Sequence, residues 1–538
     1  MTNQDLISDI YNAFNPFEPL KPGDSAYVNC SAVRGNENIF NEIGKKIVRS
    51  RREAKTCQLY TGHRGVGKST ELLRLKKYLE DNSCFVVYFG ATEGDIDELD
   101  AQYTDIILAC TRHILQALEK CANPSVLLQW LKLRWTALKD LAISEVEIDQ
   151  LNVEQQIGLF TKLTGSVRRI PSKRETIRKQ IDLYSDSLID SLNEFIKEAS
   201  KNLPENKTKL VVIADNLDRI VPIERNNNRN NHDEIFIDYS NQLTRLNCHV
   251  IYTVPLSLVY SNRAPALRDI YGSPQILPMI MIKTKEGEDY EPGLNILKEI
   301  IKCRLKSYYE KLVETQKELQ KKSDTLGIFD KKTTLNKLCS MTGGHVRELM
   351  LLMQSSIDWI ADLPITESAV NRAINDARES TYALAIDNQE WQKLAAVSLS
   401  GNIQNEQDYR SLLFRRCVLE YRDEQGKKWY NVHPIIEEIE EFKIPFIKLG
   451  IERQVNQIST LDETILESLK DIQEKHDKFV NNNNYEQAYK MAEMAYNMLE
   501  NLQKKLDIKK DRETYRKIVA LSSFWKLRKD LYFVRSKL

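Results

Sequence analysis

The chain has 538 residues, which is too many for one hydrophobic core, so two to four domains are expected. Apolar residues make up 42% and charged residues 29%, the balance of a folded globular protein, which excludes an intrinsically disordered chain. Lys and Arg together number 77, as do Asp and Glu together, so the net charge favours neither a nucleic acid nor a membrane as partner.

Cysteine spacing and hydropathy exclude further classes of protein. Nine cysteines are scattered without a C-x-x-C pair or a histidine at ligand spacing, which argues against a disulfide framework and a zinc site. The first 20 residues lack a signal-peptide pattern, and no apolar run approaches the roughly 18 residues that a membrane span needs. We therefore predict a cytoplasmic protein with no membrane span.

The N-terminal half alternates strand and helix patterns. Residues 1–26 are a lead-in interrupted by prolines, and residues 27–289 form the first predicted domain, with a helical insertion at about 100–200. The predicted strands are the run that ends in CQLY and the segments 84–90, 209–215 and 248–254. Because these runs are continuously apolar and separated by helices, they predict an α/β domain whose parallel sheet is covered on both faces.

The C-terminal half is predicted to be mostly helical. Residues 290–385 form an all-α lid domain, in which a Gly-Gly pair opens one helix. Residues 386–445 combine helices with two short strands around a DEQGKK turn, which is typical of a winged helix. Residues 446–538 are helical, and FVNNNNYEQAYKMAEMAYNML is typical of a TPR-like helical hairpin.

A phosphate-binding motif lies between the first long strand and its helix. The motif G-x-x-x-x-G-K-[ST] matches the segment GHRGVGKS at every fixed position. Its glycines let backbone N–H groups close around an anion, and the helix N-terminus adds partial positive charge. Lys68 is predicted to reach the β- and γ-phosphates of ATP and Ser69 to ligate Mg²⁺. The loop residues predicted to hold the nucleotide are Gly62, His63, Arg64, Gly65, Val66, Gly67, Lys68, Ser69 and Thr70.

An acid on a neighbouring strand completes such a P-loop NTPase site. Asp215 ends the run KLVVIAD, so its carboxylate is predicted to emerge beside the loop and to ligate Mg²⁺ with Ser69. Asn216 follows it, and an amide can orient a water molecule but cannot take its proton. Asp218 is the nearest alternative base, so hydrolysis is expected to be slow or to be completed by a partner.

On these motifs the chain resembles the signal-transduction ATPases with numerous domains (the STAND class). It is also similar to archaeal origin-recognition ATPases, a related branch of the AAA+ group. The segment ADNLDRI resembles the D-x-L-D-R acid motif of some STAND-like and KAP-type NTPases. The resemblance covers about residues 25–440.

The resemblance implies four further nucleotide contacts. Arg34 lies in a segment similar to the one that clasps the adenine, although the order of Arg34 and Gly35 is reversed. Thr253 takes the sensor-1 position, which reads the γ-phosphate, and Arg347 in GGHVREL takes the sensor-2 position over the phosphates. His433 takes the place of the winged-helix histidine that holds the β-phosphate of ADP. The alternatives are a surface charge for Arg34, a surface ion pair for Arg347, a polar strand end for Thr253 and a core or capping histidine for His433.

Three arginines are candidates for an arginine finger across a subunit interface. They are Arg219, Arg245 and Arg263. The alternative for such a residue is an ion pair with an acid of the same subunit.

Two basic segments indicate which kinds of partner the chain could bind. The tract 162–179 has seven bases and one acid, and the tail 504–537 has twelve bases and four acids with aromatics in FWKLRKDLYF. The tail suits single-stranded nucleic acid, an anionic membrane surface or a partner's acidic groove, or it packs as an amphipathic helix on the hairpin. DNA binding is not favoured, because the DEQGKK wing has two bases and two acids and EEIEE follows it.

The leading hypothesis is a STAND-like ATPase switch with ATP, ADP and Mg²⁺ as cofactors. In it, ADP keeps the lid closed and ATP opens it, so that the helical tail engages a separate effector or regulatory protein, or the chain forms a homo-oligomer. By analogy with that class, a role in prokaryotic anti-phage defence or stress signalling is expected. The alternatives are an AAA+ initiator or loader that binds DNA through the winged helix and basic segments, and a nucleotide-dependent scaffold with little hydrolysis.

Overall fold

The chain divides into two compact units, Met1–Ile386 with Gly401–Ile436 and Asp387–Ser400 with Glu437–Leu538. The residues that the computed structural model describes are 3–35, 39–138, 153–204, 206–225, 229–306, 327–404, 406–423, 425–457, 463–482, 484–505, 522 and 525–533. Among them, no helix combines the length and the apolar character that a membrane crossing needs.

The first unit contains a five-stranded parallel sheet. Its strands are β1 (Cys57–Gly62), β2 (Cys84–Gly90), β3 (Lys209–Asp215), β4 (His249–Val254) and β5 (Gln275–Leu277), in the order β2-β3-β4-β1-β5. Alternate residues of β3 enter two apolar cores, Val212 on one face and Val211 and Ile213 on the other. Burying each such side chain contributes about 1.5–3 kcal/mol. The P-loop NTPase fold with helices on both faces of the sheet is thereby confirmed, and the four predicted strands are present.

Helices surround this sheet, and two short 3₁₀ turns, Ala91–Glu93 and Leu217–Arg219, follow β2 and β3. The helices of the first unit are α1 (Asn3–Ala13), α2 (Lys45–Arg49), α3 (Lys68–Asp81), α4 (Tyr103–Leu118), α5 (Ser125–Leu138), α6 (Val153–Arg169), α7 (Pro171–Leu183), α8 (Ser185–Ala199), α9 (Asn231–Asp233), α10 (Ser240–Thr244), α11 (Leu256–Val259), α12 (Ala264–Tyr271), α13 (Glu291–Arg304), α14 (Lys332–Met341), α15 (Val346–Asp358), α16 (Glu367–Ala377), α18 (Gln407–Phe414) and α19 (Pro434–Glu437).

Ion pairs tie the basic tract 162–179 to the start of α4. Arg174 donates to Asp97 at 2.6 Å and to Asp100 at 2.8 Å. Arg178 donates to Asp100 at 2.9 Å and to Asp105 at 2.6 Å. Both arginines are buried, and breaking a buried pair costs about 3–5 kcal/mol, so these two bases support the fold.

A glycine turn and a hairpin complete the first unit. Gly343 and Gly344 have left-handed backbones with φ of 63° and 75°, and α15 begins directly after His345. The hairpin pairs β6 (Val418–Arg422) with β7 (Lys428–Val432) in antiparallel register. Helix α18 precedes it, whereas Trp391–Ser400 belongs to the second unit. The winged-helix domain therefore stays a prediction.

The second unit is helical among its described residues. Its helices are α17 (Trp391–Ser400), α20 (Glu440–Gln457), α21 (Glu463–Asn481), α22 (Tyr485–Lys505) and the helical residues 525–533. Trp525 and Tyr532 are buried, and Trp525 packs in an apolar cluster with residues of α21 and α22. These two aromatics of the tail therefore pack against the hairpin, while Phe524 lies outside the described residues.

Candidate active site

The P-loop runs from β1 into α3, as the motif predicts. Gly65 and Gly67 have φ of 92° and 109°, a region that side chains other than glycine rarely adopt. A Cβ at Gly65 would lie 2.7 Å from Cε1 of His345, so the absence of a side chain also permits close packing. Lys68 is the first residue of α3, and the helix N-terminus therefore faces the loop.

Lys68 is held at the foot of this loop. Its ammonium group donates to the carbonyls of Gly62 at 2.8 Å and His63 at 2.9 Å. It also pairs with Asp218 Oδ2 at 2.9 Å, and both side chains are buried. Asp218 therefore neutralises Lys68 in this structure, and it is not a free carboxylate.

Asp215 lies at the C-terminal end of β3 in a shell of oxygen and nitrogen donors. Its carboxylate accepts hydrogen bonds from Tyr88 Oη at 2.7 Å and from the backbone N–H of Asn216 at 2.7 Å. Burial and the nearby Asp218 raise the pKa of Asp215, while hydrogen bonds from Ser69 and its other donors oppose that rise. The predicted metal ligands, Ser69 and Asp215, are thus adjacent, and both offer the hard oxygen atoms that Mg²⁺ prefers.

The backbone of Asn216 disfavours a glutamate directly after Asp215. It is left-handed, with φ of 67°, a conformation that Asn and Asp tolerate better than Glu. The side-chain amide of Asn216 donates to Glu93 Oε1 at 3.2 Å. The pair arises because β2 and β3 run in register, with Gly90 opposite Asp215.

Several of these residues line a cleft of about 110 Å³, whereas Asp215 is buried and lies outside its lining. Its lining includes the predicted residues Arg64, Gly65, Gly67, Lys68, Ser69, Thr70, Asn216, Asp218, Arg219 and Arg347. Burial and neighbouring arginines lower the pKa of Arg347 to about 10, so it remains cationic at neutral pH. Five cationic side chains and three carboxylates line the cleft, which favours a polyanionic ligand.

The first turn of α15 contacts the P-loop backbone. His345 Nε2 donates to the carbonyl of Arg64 at 2.7 Å, and the backbone N–H of Arg347 donates to the carbonyl of Gly65 at 3.2 Å. The Arg347 guanidinium also donates to the carbonyl of Pro16 at 3.1 Å. Arg347 thus lies beside the loop, where the sensor-2 assignment requires it, although phosphate contact stays a prediction.

Two more elements hold the loop from its buried side. The backbone N–H of Glu420 in β6 donates to His63 Nε2 at 3.0 Å. Arg34 donates to the carbonyls of Val66, at 2.9 Å, and Pro278. Arg34 is buried and does not line the cleft, so its predicted contact with adenine stays a prediction.

Thr253 and His433 also lie outside the cleft lining. Thr253 Oγ1 accepts the backbone N–H of Leu217 at 2.9 Å, so this hydroxyl positions the turn after β3. His433 is buried and its ring stacks on Tyr382 with centroids 4.3 Å apart. The predicted roles of these two residues at the phosphates remain predictions.

The three candidate finger arginines differ in their surroundings. Arg219 lines the cleft and lies 3.8 Å from Glu98. Arg245 pairs with two acids of α8, and Arg263 pairs with Asp238 at 2.6 Å. All three therefore form ion pairs within the chain, which was the alternative to a finger, and the pair of Arg219 is the longest.

Three buried histidines around the loop predict an acid-sensitive structure. Burial lowers the pKa of His63 and of His433 to about 3, and that of His345 well below its usual 6.5. As the pH falls, the histidines of the unfolded chain take up protons near pH 6.5, well before those of the folded chain. The free energy of unfolding should therefore have its full value above about pH 6.5, and fall towards pH 3 by about 1.4 kcal/mol per pH unit for each histidine. We expect the melting temperature to drop steadily between pH 7 and pH 5.

The variant His433→Phe provides the control, because a phenyl ring can retain the stacking on Tyr382 without binding a proton. Its stability should depend less steeply on pH, by about one proton per molecule. An unchanged slope of stability against pH would contradict the assignment of His433 as a buried neutral group.

Sequence patterns missed part of the cleft. The residues that no motif indicated are Asn15, Pro16, Phe17, Glu18, Pro19, Tyr88, Glu93, Arg304, Val346 and Met350. Tyr88 and Glu93 could have been found, because polar residues at the C-terminal end of a parallel strand adjacent to β3 meet the site edge. Residues 15–19 belong to the lead-in, and no local pattern places them there.

A comparison with protein families gave one match. Residues 36–227 match the KAP family P-loop domain. Together with the confirmed fold, the match makes the chain a P-loop ATPase. A comparison with curated proteins found no match.

Three solved structures align over most of the chain. The Walker-type ATPase of Pyrococcus abyssi has 12% identity and a TM-score of 0.34, covering 77% of this chain and 98% of that one. Cdc6p from Pyrobaculum aerophilum has 13% identity and a TM-score of 0.31, covering 81% and 98%. The ORC2 protein of Aeropyrum pernix, in ADPNP–ADP complexes, has 10% identity and a TM-score of 0.33, covering 81% and 100%.

Proposed function

We propose that this protein is an ATP-driven molecular switch of the STAND type, in which nucleotide at the P-loop sets the positions of the α15 region and the β6–β7 hairpin. The observation that carries the proposal is the set of hydrogen bonds on the loop itself. The α15 turn binds the carbonyls of Arg64 and Gly65, and β6 binds the side chain of His63. A loop that moves to accept phosphates has to strain or break these bonds.

Lys68 provides the trigger in this proposal. Its ammonium group is bonded to two loop carbonyls and to Asp218. To bind the β- and γ-phosphates, it has to give up some of these contacts, which changes the charge balance at Asp218 and at the turn after β3. Arg219 and Arg347, which also line the cleft, add positive charge for the triphosphate.

Mg²⁺ fits the same site in this proposal. Ser69 and Asp215 would hold the ion, which would neutralise charge on the phosphates. No cluster of three or more His, Cys, Asp or Glu ligands occurs among the described residues.

The N-terminal lead-in covers the cleft. The backbone N–H of Leu20 donates to Thr70 Oγ1 at 3.2 Å, and the Pro16 carbonyl accepts from Arg347. The cleft volume of about 110 Å³ is below the roughly 300–1,000 Å³ of typical ligand pockets. ATP binding therefore requires residues 15–19 to move, and the lead-in becomes part of the switch.

A separate effector or regulatory protein is the proposed partner of the helical second unit, with homo-oligomerisation as a further outcome. Met494, Leu527 and Phe533 are exposed apolar side chains of that unit. A protein partner would bury such side chains, whereas a phosphate backbone would not. In the first unit, Arg174 and Arg178 are buried in ion pairs, so the basic tract offers fewer charges to DNA than its sequence indicates.

Mass photometry of the full chain with ADP–Mg²⁺, ATP–Mg²⁺ and duplex DNA in turn tests the switch. We expect ATP to change the assembly state or the mass of complexes formed, ADP to leave it unchanged, and DNA to have no effect. Duplex binding with a steep salt dependence and no response to nucleotide would contradict the switch and support the loader.

A further inference from the structure

We propose that Glu93 is the general base of ATP hydrolysis and that Asn216 positions it. The inference rests on the proposed nucleotide site and names the residue that activates water there. In this arrangement the carboxylate comes from the end of β2, beside β3, and the amide comes from the position directly after Asp215. The base and its positioning amide thus lie on neighbouring strand ends.

The carboxylates of the cleft differ in their availability. Three line it among the described residues, namely Glu18, Glu93 and Asp218. Asp218 is buried and pairs with Lys68 at 2.9 Å, so water reaches it only if Lys68 gives up that contact. Glu18 belongs to the N-terminal lead-in, which has to move for ATP to enter. Glu93 ends the 3₁₀ turn that follows β2 and is exposed to solvent.

The backbone conformation at position 216 favours a glutamate base after β2 over one directly after Asp215. A glutamate at position 216 would have to adopt a left-handed backbone, with φ of 67°, at a cost of about 1–2 kcal/mol. Asparagine tolerates that conformation and retains an amide that donates to Glu93 Oε1 at 3.2 Å. Because an amide cannot accept the proton of water, that task falls to the carboxylate that it holds.

Gly90 makes room for this carboxylate. A Cβ at Gly90 would lie 2.6 Å from Cδ and 2.7 Å from Oε1 of Glu93. Gly90 pairs in register with Asp215, so the Glu93 carboxylate lies over the strand position next to the predicted metal ligand.

Hydrolysis in this arrangement needs only ATP and one water molecule. The oxygen of a water molecule attacks the γ-phosphorus of ATP, and the bond from that phosphorus to the β–γ bridging oxygen breaks. ADP leaves with the bridging oxygen and its electron pair. The proton of the attacking water passes to the Glu93 carboxylate and from there to the released phosphate or to solvent.

The test compares Glu93→Gln with wild type in two measurements on the full chain, ATP affinity by calorimetry and single-turnover hydrolysis. We expect Glu93→Gln to bind ATP with nearly wild-type affinity and to hydrolyse it on the order of 10²–10⁴ times more slowly. After quenching, the nucleotide bound to this variant should be ATP, whereas wild type should hold ADP. Glu198→Gln, an exposed glutamate of α8, is the matched control with unchanged turnover.

Gly90→Ala tests the same idea without altering a charge. Its Cβ displaces a flexible carboxylate rather than backbone, so the fold and the ATP affinity should persist while turnover falls on the order of tenfold or more. The inference is overturned if Glu93→Gln hydrolyses ATP within about threefold of wild type, or if wild type binds ATP and never turns it over. Wild type without affinity for ATP would instead refute the proposed function.

Discussion

Replacing Lys68 by alanine is expected to abolish ATP hydrolysis and to weaken ATP binding by about 100-fold or more. Lys68 is the ammonium group at the foot of the P-loop, and hydrogen bonds from a charged donor each contribute about 1.5–3 kcal/mol. A loss of about 2.8 kcal/mol corresponds to that change in the dissociation constant. Calorimetric titration with ATP–Mg²⁺ measures it.

The Lys68→Ala variant also loses stability, and this effect has to be distinguished from its weaker ATP binding. Lys68→Ala leaves Asp218 buried without its partner, which costs about 3–5 kcal/mol of stability. The double variant Lys68→Ala with Asp218→Asn removes both charges and should recover most of the melting temperature. If the recovered double variant bound ATP as wild type does, Lys68 would not be the phosphate-binding group.

The second large effect is expected for Gly344→Ala. Gly344 has φ of 75°, and a Cβ there would lie 1.8 Å from the backbone carbonyl oxygen of Ile280. Neither the left-handed backbone nor the contact with a main-chain atom can be relieved by a side-chain rotation. We expect a loss of more than about 3 kcal/mol of unfolding free energy, from backbone strain and displacement of the α15 turn.

Gly272→Ala is the matched control for this effect. Gly272 also has a left-handed φ, of 76°, but a Cβ there would meet no atom within 4 Å. Its cost should be limited to the backbone strain of a side chain at φ 76° and ψ −167°, about 1–3 kcal/mol. Thermal denaturation of both variants gives the comparison, and equal losses would show that the approach to Ile280 contributes nothing to stability.

The fold could be predicted from sequence where the signal is local. The strands β2, β3 and β4 are apolar runs of six or seven residues, and burial on both faces requires such runs. The P-loop is one contiguous motif whose flanking strand and helix confirm it. β5 escaped prediction because three residues, Gln275–Leu277, are too few to show a pattern.

The candidate site could be predicted only in part, because much of it is assembled from distant positions. The pairing of Glu93 with Asn216 depends on the order and register of β2 and β3, which apolar runs do not encode. Residues 15–19 reach the cleft through contacts with α15, more than 300 positions away. His433 was assigned by its place in NVHPII, and its stacking on Tyr382 followed from no sequence pattern.

Hydrogen–deuterium exchange of the full chain with and without ATP–Mg²⁺ tests the central claim most directly. The account predicts that saturating ATP protects residues 62–70, and that exchange changes together at 14–20, 343–350 and 418–422, which contact or cover the loop. Unaltered exchange at residues 62–70 would contradict nucleotide binding at the P-loop. Protection confined to residues 62–70 would contradict the switch.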